Sequence, residues 1–358
     1  MASFVNNATS CECPSPRALG YSLPPEWSQQ QSVMLSCPIN PATWPNTRPA
    51  LERAYAAFAA AITRFEDLRL NCVAGAQEHY RSLLADAGAD LSRVRFHDLP
   101  TNDAWCRDHG PIILRHADGQ RRAVLDFDYN AWGGKFPPWD LDDAVPRAIA
   151  AMDGLPCFHA PLFCEGGALE VNGRGTLLTT ASVVLNPNRN PGMSKARAEQ
   201  LLMDALGCEQ VLWLPSGLAG DDTDGHIDTI TRFVAHDVVL TAYDDDPLSP
   251  NHDVLKRNDA LLRAMRLHDG TPLEVIRLPM PEPIRPQNWR EEILPATYAN
   301  FLVINNAVIV PTYRQDRRDE QALAIITQAF PSREIVPSDC YDIVIEGGAL
   351  HCLSQQMI

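Results

Sequence analysis

The sequence of 358 residues lacks the features that define several common classes of protein. No apolar run approaches the roughly 20 residues that a membrane-spanning helix needs. The first twenty residues contain neither a basic n-region nor an apolar h-region, so no secretory signal is visible and a cytoplasmic location is expected. Basic residues are scarce, because 30 Lys and Arg stand against 45 Asp and Glu. This balance argues against a nucleic-acid partner, since phosphate binding requires a basic face.

Short motifs for nucleotide and metal binding are also missing. The sequence has no GxGxxG or GxxxxGK[ST] loop, and no C-x2-C, HExxH or H-x3-H pair. Its ten cysteines are scattered, mostly where a small buried apolar residue is expected. Cys11 and Cys13 fall in a Pro- and Ser-containing stretch that we interpret as a flexible tail. The formal net charge of −15 suits a small cationic substrate, although solubility alone also explains it.

Helical and β-like patterns alternate along the chain. Apolar residues recur at helical spacing in residues 49–65, 77–87, 142–152, 194–206, 253–265 and 318–330. Short β-like runs follow at residues 68–73, 94–99, 157–163, 210–214, 273–278 and 334–336. Further strands are predicted at residues 176–185, 238–242 and 301–312, and a hairpin at 112–127 that turns at Asp118-Gly119.

The order strand–strand–helix–strand therefore recurs, and two of the loops that follow carry the same pentapeptide. Glu-Gly-Gly-Ala-Leu occurs at residues 165–169 and again at 346–350. Repetition with a period of roughly 60 to 70 residues is typical of a propeller-like array. We predict an α/β fold of about five ββαβ modules around a central axis. Residues 1–20 are predicted to be a flexible tail and residues 21–358 one catalytic domain, with an ordinary doubly wound sheet as the alternative fold.

Three polar loops carry the residues with the most chemistry. They cover residues 102–111, which pack acids with an Arg, a His and a Trp, residues 222–228, and residues 347–352. In an extended segment, the spacing of His226 and Asp228 directs both side chains to one face. Cys352 follows a glycine pair and the neighbouring His351. If the modules converge on an axis, these loops face one central pocket.

These residue types fit attack on a guanidinium group. A guanidinium is planar and permanently charged, and carboxylates such as Asp108 and Asp228 pair with it bidentately. A thiolate at Cys352 is a suitable nucleophile for its unreactive carbon, and His226 can protonate the departing ammonia and then activate water. Each residue alone also has a structural interpretation. Cys352 alone fits a buried thiol, His226 a core histidine, and Asp108 an ion pair with Arg107. We interpret His351 as a packing residue, because in an extended segment it points away from Cys352.

Several segments together resemble one known family. The segments are Asn102-Asp103-x-Trp105-x-Arg107-Asp108-x-Gly110-Pro111, Glu165-Gly166-Gly167, Asn172-Gly173-x-Gly175-Thr176, Leu185-Asn186-x-Asn188-Arg189-Asn190-Pro191, Asp222-Thr223-Asp224-Gly225-His226-Ile227-Asp228, Tyr298-Ala299-Asn300-Phe301 and Gly347-Gly348-x-x-His351-Cys352-x-x-Gln355-Gln356. In this order they resemble the agmatine deiminases and the related Porphyromonas-type peptidylarginine deiminases. The resemblance runs from about residue 24 to the end of the sequence.

The resemblance implies a fold and a set of roles. The family's fold is the pentein, a five-bladed α/β propeller, and its members use no metal or organic cofactor. By resemblance, Cys352 is the nucleophile and His226 the general acid and base, Asp108 and Asp228 bind the guanidinium, and Glu165 orients His226. Trp105 and Asp103, from the same motif as Asp108, are further candidates for substrate binding.

The substrate is not fixed by the resemblance, because the same chemistry serves agmatine, free arginine and peptide-bound arginine. Agmatine, a small cationic guanidino compound, is the leading candidate; a non-catalytic guanidine-binding protein is the alternative of another class. A pocket for agmatine should offer an acid to its terminal ammonium and no cation for a carboxylate. Asp222 is our candidate for that acid, with a turn residue as the alternative. The oligomeric state, including a homo-oligomer, stays open.

Overall fold

The computed structural model describes residues 14–286 and 292–358, and the strands in these ranges form five small sheets. The strands are β1 (Tyr21–Ser22), β2 (Ser32–Ser36), β3 (Asp67–Asn71), β4 (Val94–His97), β5 (Ile112–His116), β6 (Arg122–Asp128), β7 (Cys157–Phe163), β8 (Glu170–Val171), β9 (Thr176–Thr180), β10 (Gln210–Leu214), β11 (Thr231–Phe233), β12 (Val238–Tyr243), β13 (Glu274–Pro279), β14 (Leu302–Ile304), β15 (Ala307–Thr312), β16 (Glu334–Asp339) and β17 (Ser354–Met357). The helices are α1 (Arg48–Thr63), α2 (Ala74–Asp86), α3 (Cys106–His109), α4 (Ala131–Gly134), α5 (Asp140–Asp143), α6 (Val145–Asp153), α7 (Ala181–Val184), α8 (Lys195–Leu206), α9 (His252–Ala264), α10 (Asp316–Ala329) and α11 (Leu350–Leu353).

Each sheet includes two antiparallel strands and a third strand that pairs parallel with the second. A helical connection links the second strand to the third. In one sheet β8 pairs antiparallel with β9, and β10, which follows α8, pairs parallel with β9. The same pattern recurs in β11–β12–β13 around α9 and in β14–β15–β16 around α10. The other two sheets have four strands, in the orders β1–β5–β6–β7 and β17–β2–β3–β4. The predicted five-bladed α/β propeller, the pentein, is confirmed.

The main helices lie close to where the apolar periodicity predicts them. Helix α1 buries Leu51, Tyr55, Phe58 and Ile62, which recur every three or four residues along one face. Helix α8 begins where the side chain of Ser194 accepts a hydrogen bond from a backbone N–H of its first turn, and it ends at a left-handed glycine. Local sequence signals therefore determine both the buried face and the ends of these helices.

One predicted strand is shorter than expected. The run at residues 176–185 forms β9 only as far as Thr180, after which residues 181–184 form α7. The partner strand β10 ends at Leu214, opposite Thr180, and the following Pro215 has no N–H to continue the pairing. The backbone N–H of Ser182 donates instead to the carbonyl of Pro215. The strand therefore ends because its partner ends.

The predicted flexible tail covers residues 1–20, of which 1–13, with Cys11 and Cys13, lie outside the described residues. Arg17–Leu19 form one 3₁₀ turn, and Arg17 lies 2.6 Å from the carboxylate of Glu209. In the two described ranges, no helix is long and apolar enough to cross a membrane.

Short helical turns connect the blades near the middle of the molecule. Helix α3 contacts both α11 and a 3₁₀ turn at Gly166–Ala168, and that turn contacts a second one at Ile227–Thr229. Strand β17, directly after α11, pairs antiparallel with β2 and so joins distant parts of the sequence. The three polar loops singled out in the sequence are thus brought to one place.

Candidate active site

Three side chains from two loops converge on a single glycine, Gly167, in a third loop. A Cβ atom at Gly167 would lie 2.5 Å from Nδ1 of His226, 2.8 Å from Oδ1 of Asp108 and 3.2 Å from Oδ2 of Asp228. No ordinary side chain fits at such distances, so a glycine is required for this close approach. The Glu-Gly-Gly sequence therefore has a steric role, because it leaves room for the three groups to meet.

Cys352 is held in a single helical turn, α11, and is 4% exposed. The side chain of Asn300 fixes this turn, because its Oδ1 accepts backbone hydrogen bonds from His351 at 3.1 Å and Cys352 at 3.2 Å. Its Nδ2 donates to Sγ of Cys352 at 3.2 Å. Oδ2 of Asp228 lies 3.8 Å from the same sulfur. The thiol thus faces a carboxylate and an amide donor.

Asp108 and Asp228 are buried, and each is held by a different set of donors. Oδ1 of Asp108 accepts the backbone N–H of Gly167 at 3.0 Å, and its Oδ2 accepts the indole N–H of Trp132 at 2.9 Å. Oδ2 of Asp228 lies 2.7 Å from Nδ1 of His351, while its Oδ1 has no hydrogen-bond partner among the described residues. A buried carboxylate oxygen without a hydrogen-bond partner, such as Oδ1 of Asp228, is uncommon, and binding of a cation at this oxygen would explain it.

His226 is fully buried between two carboxylates. Its Nδ1 lies 3.6 Å from Oδ1 of Asp108, and its Nε2 lies 3.6 Å from Oε2 of Glu165. Glu165 also accepts a hydrogen bond from Nε of Arg189 at 2.7 Å. Neither ring nitrogen of His226 has a partner at hydrogen-bond distance within the described part of the chain. Both ring nitrogens therefore keep hydrogen-bonding capacity that no described residue uses.

The electrostatics of the site follow from this crowding of acids. Burial lowers the pKa of His226, but Asp108, Glu165 and Asp228 together raise it to about 9. Burial raises the pKa of the Cys352 thiol well above its usual range, and the charges of Asp228 and Asp108 raise it further. Burial alone would raise the pKa of Glu165, yet Arg189 and His226 bring it below its usual value. These two shifts favour a charged imidazole and a neutral thiol at neutral pH.

A cavity of about 280 Å³ opens onto the thiol. Cys352, Asp108 and the predicted substrate-binding residues Asp103, Trp105 and Asp222 all lie on its wall. Burial and the charges of neighbouring acids raise the pKa of Asp103 to about 7, despite a hydrogen bond from the next backbone N–H. The structure therefore places four of the five predicted substrate-binding residues around the same space as the nucleophile candidate, namely Asp103, Trp105, Asp108 and Asp222. The fifth, Asp228, contacts the thiol but is not among the residues that line the cavity.

The remaining charged residues of the wall are mostly acidic. Asp142 and Glu346 add two more carboxylates to the cavity. One cation, Lys135, is also among its described lining residues. Nζ of Lys135 lies 2.8 Å from Oδ1 of Asp224 and donates to the backbone carbonyl of Asp222 at 2.5 Å. A pocket for agmatine is expected to offer no cation for a carboxylate, and the cation on this wall is already paired with an acid.

The packing role predicted for His351 is wrong. The packing role assigned to it assumed an extended segment, but residues 350–353 form a helical turn. Its ring therefore turns toward the site, with Nδ1 2.7 Å from Asp228 and Nε2 2.7 Å from Oε2 of Glu26. Adjacent residues in a helical turn point only about 100° apart, which lets His351 and Cys352 share Asp228 as a neighbour.

Trp132 and Asn300 are site residues to which the sequence analysis gave no role. Asn300 stands in one of the quoted motifs, and that position was the available signal. Trp132 lies in α4, where Ala131, Trp132, Gly133 and Gly134 all have positive φ. A left-handed turn with two non-glycine residues is rare, and the glycine pair after Trp132 was the only local sign of it.

The donor set does not suggest a metal centre. Across residues 14–286 and 292–358, no group of three or more His, Cys, Asp or Glu side chains is placed to hold a metal ion. The acids of the site are instead arranged around a thiol, an imidazole and an open cavity. This arrangement suits a bound organic cation better than a metal ion, because a metal requires several ligands around one point.

Comparisons with known proteins identify the family. The sequence profile of the Porphyromonas-type peptidyl-arginine deiminase family matches residues 22–357, and the chain belongs to this family. A protein named agmatine deiminase from Ectopseudomonas mendocina is 35% identical over 363 residues, covering 96% of each chain.

Solved structures give the same result. That of the agmatine deiminase of Enterococcus faecalis superimposes with a TM-score of 0.90 at 30% identity, covering 97% of this chain and 98% of that one. A structure provisionally named an arginine deiminase of Porphyromonas gingivalis has a TM-score of 0.85 at 38% identity, covering 94% of this chain and 98% of that one. The fold and the family are therefore established, and the names of the relatives differ in substrate.

Proposed function

We propose that this protein hydrolyses agmatine to N-carbamoylputrescine and ammonia, with Cys352 as the nucleophile. The observation that carries the proposal is the convergence of His226, Asp108 and Asp228 around Gly167, with the thiol of Cys352 3.8 Å from Asp228. Close relatives named agmatine deiminase support the choice of substrate. A protein that only binds guanidines has no use for a thiol and an imidazole in the same acidic pocket.

Asp108 and Asp228 would bind the substrate's guanidinium and hold its plane beside the thiol. Oδ1 of Asp228 has no partner among the described residues, and each oxygen of Asp108 can accept a second hydrogen bond beside the one it already has. The positive guanidinium also opposes the two charges that raise the pKa of Cys352. Binding of the substrate therefore favours the thiolate at the moment when it is needed.

The reaction then proceeds in two halves. On substrate binding the thiol of Cys352 loses its proton to solvent, and the thiolate bonds to the central guanidinium carbon. His226, charged at neutral pH because of its raised pKa, gives a proton to the departing nitrogen as the carbon–nitrogen bond breaks and ammonia leaves. The neutral His226 then takes a proton from water, whose oxygen bonds to the amidino carbon. The carbon–sulfur bond breaks, and N-carbamoylputrescine leaves. Glu165, supported by Arg189, holds the imidazole for both steps.

The acidic wall of the cavity favours a substrate whose tail carries a positive charge. We assign the ammonium of agmatine to Asp222, with Asp103 and Trp105 as further contacts, because all three line the cavity with Cys352. A small cationic guanidino compound is therefore the proposed partner. A cytoplasmic location is part of the same proposal and is consistent with the eight cysteines of the described residues, which are all free thiols.

Lys135 favours a second candidate, an arginine deiminase. Its ammonium lines the cavity and would attract the carboxylate that arginine has and agmatine lacks. The relative provisionally named an arginine deiminase points the same way. We prefer agmatine because Lys135 is already paired with Asp224. Recruiting Lys135 for arginine would break that ion pair and leave Asp224 with Arg189 as its cationic partner.

A side-by-side assay of ammonia release tests the proposal. Agmatine, free arginine and an arginine-containing peptide are compared at equal concentrations, with the Cys352→Ala variant as the blank. We expect kcat/KM for agmatine to exceed the other two by roughly thirty-fold or more, the effect of a desolvated charge contact. Preference for arginine would establish the second candidate. Binding of agmatine without ammonia release from any substrate would show a non-catalytic protein.

A further inference from the structure

A buried chain of acid, imidazole and acid lies behind the nucleophile. Oε2 of Glu26 lies 2.7 Å from Nε2 of His351, and Nδ1 of His351 lies 2.7 Å from Oδ2 of Asp228. His351 is 1% exposed, Asp228 is 0% and Glu26 is 8%. The chain ends at Sγ of Cys352, which is 3.8 Å from the same Oδ2. No part of the reaction derived above uses Glu26 or His351.

The two hydrogen-bond partners of His351 indicate the charge of its imidazole. A neutral imidazole has one N–H and one lone pair, so it can donate to only one of two carboxylates. Glu26 is ionised here, since it lies 2.5 Å from NH2 of Arg232 and its Oε1 accepts the backbone N–H of Val303 at 2.7 Å.

Asp228 is ionised as well. Burial raises its pKa, but the charges of its neighbours, His226 and Arg232 among them, hold it below the usual value. With a carboxylate at each ring nitrogen, His351 carries both protons. Two short contacts to carboxylates indicate an imidazolium.

We propose that His351 is a positioning residue for the reaction: a buried imidazolium that fixes Asp228 and offsets its charge at the Cys352 thiol. This proposal rests on the function proposed above, in which Cys352 is the nucleophile and Asp228 binds the guanidinium. By occupying Oδ2, His351 leaves Oδ1 of Asp228 for the substrate. By placing a positive charge beside that carboxylate, it reduces the cost of forming a thiolate nearby.

The other charged groups around the chain do not replace this cation. Around Cys352, the acids Asp228 and Asp108 oppose the thiolate, and the phenol of Tyr313 is buried on the same side. Arg232 is divided between Glu26 and Glu170. The guanidinium of Arg107 donates hydrogen bonds to the side chain of Gln356 and to the backbone carbonyl of His351. His226 also lowers the pKa of Asp228 through its charge, but its ion pairs are with Asp108 and Glu165. Among the described residues, His351 is the cation in direct contact with Asp228.

The test measures the thiol without any substrate. The rate of carboxamidomethylation of Cys352 by iodoacetamide is followed against pH, by mass spectrometry of the peptide that contains it. In the His351→Asn variant a neutral amide can still donate to Asp228, while His351→Phe removes both the donor and the charge. We expect the midpoint of the pH profile to rise by about one unit in both variants, the effect of losing a nearby positive charge.

A matched control separates this effect from damage to the helical turn. Ser354 caps the same turn, with Oγ 2.9 Å from the carbonyl of Leu350, and does not touch Asp228. Ser354→Ala should lower the thermal midpoint without moving the pH midpoint. A purely structural role for His351 predicts the same result for His351→Asn, and this result would overturn the proposal.

Two further measurements complete the test. KM for agmatine should rise in His351→Phe and be largely restored in His351→Asn, because the amide again orients Asp228, while kcat at neutral pH stays low in both. Neutron diffraction from wild-type crystals at pH 8 should show deuterons on both ring nitrogens of His351. A single deuteron would overturn the proposal even if neither variant folds. Since the alkylation and neutron results need no substrate, failure of agmatine as substrate leaves them interpretable.

Discussion

The indole N–H of Trp132 donates a 2.9 Å hydrogen bond to Oδ2 of Asp108. Trp132 reaches this carboxylate from a left-handed turn, with a φ of 57°. Such a backbone conformation costs on the order of 1 to 3 kcal/mol per residue and persists only where surrounding contacts enforce it. Here Trp132 packs edge-on against Tyr129 and Phe136, and the side chain of Asn130 accepts the N–H of Gly133. The strained turn thus positions a donor on the proposed guanidinium-binding acid.

Trp132→Phe should reduce kcat/KM for agmatine by roughly tenfold or more, because a hydrogen bond to a buried charged group contributes on the order of 1.5 to 3 kcal/mol. The phenyl ring keeps most of the aromatic packing, so the thermal midpoint should change little. Steady-state kinetics and thermal melting check both expectations. Trp139→Phe, in the same segment but away from Asp108, is the control. An equal loss in the control would show that the segment, and not the hydrogen bond, matters.

Cys352→Ser should fold and bind substrate but lose essentially all turnover. A serine hydroxyl at its free pKa is a weak nucleophile, and the amidine carbon is a weak electrophile. Acid quenching of the wild-type enzyme during turnover should trap an amidino adduct on Cys352, detected by mass spectrometry. Full activity in the serine variant, with no adduct in the wild type, would remove Cys352 from its proposed role.

Gly167→Ala should lower kcat by about 100-fold or more, since displacement of reacting groups by about 1 Å has this effect. The added methyl group would lie 2.5 Å from Nδ1 of His226 and 2.8 Å from Oδ1 of Asp108, so at least one of them has to move. Gly75→Ala is the matched control, because a Cβ there meets nothing within 4 Å. Wild-type kinetics in Gly167→Ala would contradict the packing of His226 against Asp108.

Asp222→Asn should weaken agmatine chiefly through KM, by roughly thirty-fold or more if the acid contacts the substrate's ammonium. The tail interaction is the same in the ground state and the transition state, so kcat should be nearly unchanged. n-Butylguanidine, which lacks the ammonium, serves as the matched substrate and should be affected much less. If KM for agmatine does not change, Asp222 is a loop residue, and another acid of the cavity wall binds the ammonium.

Chelators should leave the activity unchanged. The proposed chemistry assigns every proton and charge to protein side chains, and neither the sequence motifs nor the described residues provide a metal-ligand cluster. The measurement is ammonia release before and after EDTA treatment and dialysis. Strong inhibition that added zinc reverses would show that the thiol and the imidazoles had been misassigned.

The periodic features of this chain were predictable from the sequence, and the irregular ones were not. Helix α8 and the hairpin at Asp118-Gly119 have local signals, namely an N-cap, a left-handed glycine and alternating apolar residues. His351 shows the limit of such reasoning. Its direction depends on whether residues 350–353 are extended or helical, and Asn300, fifty residues away in the sequence, stabilises the helical form through hydrogen bonds to two backbone N–H groups.

Trp132 shows the same limit for a different reason. Apart from the glycine pair that follows, no local signal predicts that an alanine and a tryptophan adopt positive φ, because isolated residues of these types avoid it. Tertiary contacts hold the turn, and the most direct of them is the hydrogen bond to Asp108. By contrast, the acids, the thiol and His226 could be listed beforehand, because the sequence shows which residue types the chemistry needs. Their mutual distances required the folded chain.

The pairing of β17 with β2 has a consequence for how the protein loses activity. Residues 354–357 pair with residues 32–35, and this seam closes the ring of blades directly beside Cys352. Opening of the seam would withdraw the thiol from its acids even while the other four sheets stay intact. We therefore expect the seam and the Cys352 turn to open together under mild denaturing conditions, at a lower free energy than global unfolding. The reactivity of the Cys352 thiol would then report on closure of the ring of blades.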